Sequence, residues 1–453
     1  MNSKLILLIV IAFISLSNTL KAQKPLFSHI YTADASAHVW PNDTSTLWLY
    51  TSHDEAGTNH HATMHDYHVF STKDLVNWID YGRVMAVEDV EWAVSHAWAI
   101  DAAFWKGKYY LVFCMRPKIN STDFKIGMAL SDRPEGPFKN VGIVGGIEKG
   151  MDPSLFVEND KAYLLYAQSR HCYIAQLNDD FLSIKKNTLT DISEGLPQLQ
   201  EGPWLHKFNN KYYLSYPGLQ NDQWPEVMYY SISDSPFGPY KSGGQYIPYF
   251  EGQGGSNHGS IVKFKGKWIA FHHGNSLSGG NSYERNVLAD FLYYNADGSI
   301  GTIIPNNASV SDPQKTSCVI KLEAENGLQA GGKNEIAKFD NKNQGFSGRG
   351  YVTNFKEREA YSQVLVQLAK DQNFDLYCGY ESAQNTSIAI LIDAFMVNGG
   401  YDNWKDIILK KTNGFEESFI ATIKLKAGNN KISLMSVQGD LNIDYFLLKP
   451  IDK

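Results

Sequence analysis

Five polar residues recur at the same place in a repeated phrase of this chain: Asp34, Asp101, Asp152, Glu201 and His258. Each opens a short strand. A polar turn then leads to a second strand rich in aromatic and aliphatic residues, and residues 150–168 are the clearest copy. Carboxylates gathered at one pocket cannot all stay ionised without cost, because like charges at close range raise at least one pKa. The raised group can donate a proton while a neighbour remains a base. Two carboxylates flanking a bond, with a third tuning one of them, is the arrangement that glycoside hydrolysis uses. Any one of these acids alone reads as a turn or cap residue; their equivalence along the repeat favours a shared site.

The elements that must position them follow from the repeat. The central residues of the second strands, Leu49, Leu111, Leu164, Leu214 and Ile269, stand 50 to 62 residues apart. A period of this size built only from hairpins predicts a β-propeller, whose blades are small antiparallel sheets that hide their faces by stacking. A second phrase, at 70–78, 130–138 and 232–240, supplies Asp, Ser, Pro and Gly for a turn late in each blade. Five copies predict five blades across residues 23–304. The innermost strand of each blade runs along the axis, so the four acids and His258 are expected to face one small pocket.

Outside the blades the chain changes character. Residues 1–22 carry a basic start, a short apolar core and Leu20-Lys21-Ala22, which reads as a signal peptide and predicts a secreted or periplasmic protein. The apolar run is short for a spanning helix; a membrane anchor is the alternative. The chain has 41 basic and 48 acidic residues, and removing Lys4 and Lys21 leaves 39 against 48, a charge of −9. That balance argues against nucleic acid or an anionic membrane as partner. Four cysteines are too few for a disulfide scaffold. Cys114 and Cys172 read as buried thiols, and pairing of Cys318 with Cys378 stays open. Residues 305–317 are polar, broken by prolines and read as a linker. Residues 318–453 alternate in short strands without a helical stretch, which predicts a β-sandwich.

The spelling around the acids adds a family. Thr32-Ala-Asp34-Ala-Ser36, Trp98-Ala99, Met151-Asp152-Pro-Ser-Leu-Phe156, Gln200-Glu201-Gly-Pro203 and Asn257-His258-Gly259, with Ser71 to Trp78, together resemble glycoside hydrolase family 43. The resemblance covers nearly all of residues 25–304 and implies a five-bladed propeller that inverts the anomeric centre. It implies Asp34 as general base, Glu201 as general acid, and Asp152 as the carboxylate that raises and orients the acid. Inversion needs room for water between base and acid, roughly 6.5–9.5 Å. It places Trp98 and His258 at the substrate, His258 beside the base, and Arg285 on sugar hydroxyls. An ion pair of Arg285 with Glu284 or Asp290 is the alternative. His273 is implied as a ligand of a channel cation, or else as a buried hydrogen-bonded histidine. The sequence departs from the family at Ala35 and Ile100, where proline is usual. Asp101 is left as a fourth acid, expected to bind sugar hydroxyls. The run 252–256 lacks the lysine and helix start of a phosphate loop and reads as a pocket loop.

The C-terminal part resembles carbohydrate-binding module family 6, on Leu322-Glu323-Ala-Glu325-Asn326, Ser347-Gly-Arg-Gly-Tyr351-Val, Ala427-Gly-Asn-Asn and Asn442-Ile-Asp444-Tyr445. The resemblance implies a structural calcium held by Glu323, Glu325 and Asp444, all hard oxygen donors, against the alternative of simple surface charge. It implies a sugar cleft lined by Tyr351, Trp404 and Asn442, with Trp404 otherwise a core residue. The expected activity is hydrolysis of plant cell-wall polysaccharide or its oligosaccharides: α-L-arabinofuranosidase first, β-xylosidase second, endo-arabinanase or galactosidase beyond them. A non-catalytic sugar-binding propeller is the competitor from another class. A sialidase-like retaining propeller needs three arginines and a tyrosine nucleophile, and Arg285 is the one obvious pocket arginine.

Overall fold

The computed structural model describes residues 25–119, 122–250, 252–303, 305, 310, 317–332, 336–397 and 406–451. The expected signal peptide, Trp404 and nearly all of the expected linker lie outside these residues. Among them, no helix is long and apolar enough to cross a membrane.

Residues 32–292 form successive antiparallel sheets whose first strands are Thr32–Trp40, Ile100–Trp105, Met151–Glu158, Trp204–Phe208 and Ser260–Phe264. Each first strand lies against the next, and the last lies against the first, so the sheets close into a propeller. The second strands alternate apolar residues to bury both faces. Leu49, Leu111, Leu164, Leu214 and Ile269 are all fully buried, and a separate hydrophobic cluster fills each gap between neighbouring sheets. Closure is reinforced from the N-terminal side: the Leu26 amide donates to the Val287 carbonyl at 2.8 Å, and Leu26 and Phe27 join the cluster between last and first sheets.

Residues 317–451 build two further antiparallel sheets over one core, with Leu376, Ile388, Ile432, Leu434 and Phe446 from both sheets packed together. The two parts of the chain are not merely tethered. Ser317–Glu323 pairs in parallel with Asn77–Ala86, the outer strand of the first propeller sheet, so one sheet runs across both. Outer strands present unpaired amides and carbonyls, and here the second part covers that edge.

All four cysteines are free. Cys318 lies beside Trp78 on the strand that joins the two parts, while Cys378 is buried in the C-terminal core, so the open question of their pairing resolves to two thiols.

Candidate active site

Asp34 and Asp152 reach the axis by the same local device. The ladder register slips between Ala33 and Ser36 in one strand and between Met151 and Ser154 in the other. Both aspartates adopt a left-handed φ, 55° and 48°. A bulge breaks the alternation of a strand and re-aims a side chain, and Asp tolerates positive φ better than most residues. Glu201 sits just before the strand Trp204–Phe208, and Gly202 after it takes φ 59°. A Cβ on Gly202 would stand 2.9 Å from the Pro217 ring and 3.0 Å from His258, so only glycine fits there.

These residues open on one pocket of about 180 Å³. Asp34, Asp152, Glu201, His258, Arg285 and Trp98 line it, joined by His61, Met64 and Trp224. Asp34 accepts a 2.5 Å hydrogen bond from the Ser52 hydroxyl. Its other oxygen lies 3.4 Å from the Arg285 guanidinium, 3.6 Å from His258 and 3.7 Å from His273. Burial pushes the Asp34 pKa up, but Arg285, His258 and His273 together outweigh it and hold the carboxyl well below its ordinary range. Asp34 therefore stays ionised.

Glu201 is driven the other way. Burial and then the Asp152 charge push its pKa up to about 8, against the pull of His258. Asp152 is itself raised to about 6, first by burial, with Asp34 adding to it and His258 and the Gly202 amide opposing. One oxygen of Asp152 is buried without a hydrogen bond among the described residues. The pocket thus holds an ionised carboxylate and a protonated carboxylic acid close to neutral pH, the pairing that acid–base hydrolysis needs.

Several expected residues have different surroundings. Asp101 does not reach the pocket. Its strand pairs in unbroken register, so its carboxylate stays inside. It accepts from Ser36 at 2.5 Å, the Leu155 amide at 2.6 Å and the His38 ring at 2.7 Å, which ties three sheets together instead of binding sugar. Arg285 pairs with neither Glu284 nor Asp290. Its Nε, Nη2 and backbone amide all donate to Asp54 at 2.8 Å, leaving Nη1 for Asp34. Glu284 instead accepts from the Gly57 amide, and Asp290 faces His272. The fit of His273 to a channel cation fails: Nδ1 accepts from the Asp34 amide and Nε2 faces the Ser256 carbonyl, so neither nitrogen is left for an ion.

Sequence reasoning did not single out four residues here. Asp54 positions Arg285, and His61, lowered to about 4 by burial and then Arg285, is a neutral wall. Trp224 is 58% exposed at the rim, an aromatic face open to a sugar. Glu226 is fully buried; burial and then Glu201 push its pKa well up. It accepts from the Asn257 amide at 2.7 Å and so holds the loop that carries His258. The one signal for Trp224 was its place in a Gln-Trp-Pro turn.

In the C-terminal part Glu323, Glu325 and Asp444 converge on residues 347–349. Ser347 Oγ donates to Glu323 at 2.8 Å, the Ser347 amide to Asp444 at 2.9 Å and the Arg349 amide to Glu325 at 2.7 Å. Burial and then Glu323 raise Glu325 to about 7; burial raises Asp444 to about 6, with Glu323 adding to it against the Ser347 amide. A buried Glu325 oxygen has no hydrogen bond among the described residues. Crowded carboxylates with an orphaned oxygen fit a hard cation. Asn442 lines a polar cleft of about 650 Å³ with Asn343 and Glu381, and donates to Glu381 at 3.0 Å. Tyr351 does not: it is 2% exposed, its ring packed at a tilt against Phe346 and Phe415, so it offers no face to a sugar.

Comparison with known proteins agrees with this geometry. The family model of glycosyl hydrolases family 43 matches residues 29–300. Xylosidase/arabinosidase 43A of Humicola insolens is 33% identical over 62% of this chain and 99% of its own length. A xylosidase/arabinosidase of Bacteroides ovatus is 29% identical over 60% of this chain and 95% of its own. Among solved structures, a β-xylosidase/α-arabinofuranosidase from a compost metagenome, in complex with xylotriose, is 34% identical with TM-score 0.55, over 62% of this chain and 97% of that one. An arabinoxylan arabinofuranohydrolase from Bacillus subtilis, 22% identical with TM-score 0.55, matches 94% of this chain and 97% of its own, a likeness of fold that spans both parts. The chain belongs to glycoside hydrolase family 43.

Proposed function

We propose that the protein is an inverting glycosidase that removes single α-L-arabinofuranosyl units from arabinoxylan or arabinan. Asp34 serves as the base that takes a proton from water, and Glu201 as the acid that protonates the leaving oxygen. Asp152 raises and orients Glu201. The observation that carries this reading is the opposed ionisation of Asp34 and Glu201 across one pocket. The pocket's 180 Å³ is well under the several hundred Å³ that house larger ligands, which supports release of one terminal sugar. Arg285, fixed by Asp54, and Trp224 at the rim supply hydroxyl and ring-face contacts. The C-terminal part acts as a sugar-binding module through the Asn442 cleft, with a calcium at Glu323, Glu325 and Asp444. A second site of this kind raises the local concentration of polymer without new chemistry.

A second reading, β-xylosidase, is supported by relatives that bear both activities in their names. Incubation with aryl pentosides, xylotriose and arabinoxylan, with the first-formed anomer followed by proton NMR, separates the two. Release of inverted arabinose supports the first reading. Inverted xylose alone establishes the second, and a retained anomer or no release overturns both.

A further inference from the structure

We propose that the first propeller sheet holds a site for a divalent transition ion of the zinc class, formed by His53, Asp66 and His68, outside the sugar pocket. These are the residues among those described whose ligand atoms all lie within 4.8 Å of one another. The backbone explains the cluster. Asp66 and His68 alternate along the strand Asp66–Thr72 and so project to one face. His53 ends the neighbouring strand, where Ser52 pairs with Tyr67, and so lies across from Asp66. The Nδ1 of His53 stands 2.6 Å from Asp66 Oδ1, and the Nε2 of His68 faces the same oxygen at 3.9 Å.

The surroundings are those of a prepared ligand set. Asp80, 2% exposed, accepts from the Nδ1 side of His68 at 3.2 Å and from the Gly82 amide at 2.7 Å, and its other oxygen faces His29 at 2.8 Å. Asp80 faces the Nδ1 of His68, which leaves Nε2 as the nitrogen directed toward Asp66. A carboxylate that fixes the tautomer of a ligating histidine is the usual outer support of a metal site. Two imidazoles and one carboxylate select zinc, cobalt, nickel or copper over calcium. Ligation would replace the direct contact of 2.6 Å between His53 Nδ1 and Asp66 Oδ1. Asp66 keeps 15% of its side chain exposed, on a crevice of about 790 Å³ between the first sheet and the C-terminal part, which leaves room for water as a further ligand. His53 is also followed by Asp54, the residue that clamps Arg285, so a bound ion steadies the strand end from which that clamp projects.

The test uses tag-free, full-length protein stripped with chelator and then saturated with Ca²⁺, so that hard-oxygen sites are filled. Titration with Co²⁺ is expected to give a visible d–d band that saturates at a single equivalent and is displaced by Zn²⁺. His68→Gln and Asp66→Asn, shown to be folded by circular dichroism, should each weaken Co²⁺ binding at least about tenfold, and Asp80→Asn by roughly 10–100-fold. Zinc K-edge absorption on the unmodified protein gives a readout that needs no variant: two imidazole nitrogens at about 2.0–2.1 Å. Absence of a saturable band, a band unchanged in folded His68→Gln, or an edge spectrum without imidazole scattering each overturns the site.

Discussion

Asp152 is tied to Glu201 twice, once through the backbone and once through space. It accepts a hydrogen bond from the amide of Gly202, the residue directly after Glu201, and its charge is the largest influence on Glu201 after burial. The same side chain therefore fixes where the acid sits and when it holds its proton.

The pH profile should carry this coupling. As the proposed acid, Glu201 must be protonated to act, and its pKa is raised to about 8, so activity is expected to persist through neutral pH and to fall as pH rises past that value. Asp34 must be ionised, and its pKa lies well below the ordinary range, so it leaves neutral activity untouched. In Asp152→Asn the like charge is gone while burial remains. The Glu201 proton is then lost earlier, and the alkaline limb of kcat/KM moves to lower pH by about one unit or more. A limb that stays in place or moves upward contradicts the assignment of Asp152 as the group that raises Glu201.

Gly202→Ala tests the backbone half of the tie. The residue sits at φ 59° with Pro217 and His258 at the limit of contact. A left-handed conformation costs a side-chain-bearing residue roughly 1–2 kcal/mol, and the new methyl pushes on His258. Tm should drop by a few degrees. The loss in kcat should exceed the change in KM, since acid and histidine are displaced while the rim is not. Unchanged kcat with unchanged Tm would show that the turn has slack which these distances do not allow.

The fold was legible because hairpin periodicity is written in apolar residues: Leu49, Leu111, Leu164, Leu214 and Ile269 recur every 50 to 62 residues and are all fully buried. Asp34, Asp152, Glu201 and His258 stood out for the same reason, as polar residues at equivalent places. Equivalence misled at Asp101, because sequence position does not report a bulge. The slips at Asp34 and Asp152 turn their side chains to the axis, and unbroken register at Asp101 turns its carboxylate into the protein. Asp54 was illegible because its partner Arg285 lies 231 residues away and no local pattern links them. The pairing of Ser317–Glu323 with Asn77–Ala86 was hidden for a related reason: edge pairing depends on which strands are left uncovered, not on the period of either.

Asp54 carries a prediction of its own. Its side chain is fully buried and takes three hydrogen bonds from Arg285. Asp54→Ala leaves the guanidinium buried without its main counter-charge, a change that costs roughly 3–5 kcal/mol and should show as a lower urea midpoint. Asp54→Asn keeps the shape and removes the charge. Arg285 then draws closer to Asp34, the remaining carboxylate within reach, and makes it a weaker base. Asp54→Asn is expected to fold and to lose kcat more than it raises KM; full activity in that variant would remove Asp54 from the site.

In protein already free of transition ions, removal of Ca²⁺ should act on the C-terminal part and spare the chemistry. Glu325 and Asp444 are raised to about 7 and about 6, so without an ion the folded protein binds more protons there near neutral pH than the unfolded chain does. Groups with raised folded pKa values lose stability as pH climbs through them, and a bound Ca²⁺ relieves that loss by pairing with all three carboxylates. Addition of EGTA at pH 8 should therefore lower Tm, and the drop should shrink at pH 5, where the acids are already protonated. Asp444→Ala should abolish the Ca²⁺-dependent shift. Turnover of a small aryl pentoside should change little, because none of these residues lines the sugar pocket. An equal Tm with and without EGTA at pH 8 would mean that the three acids hold protons rather than an ion.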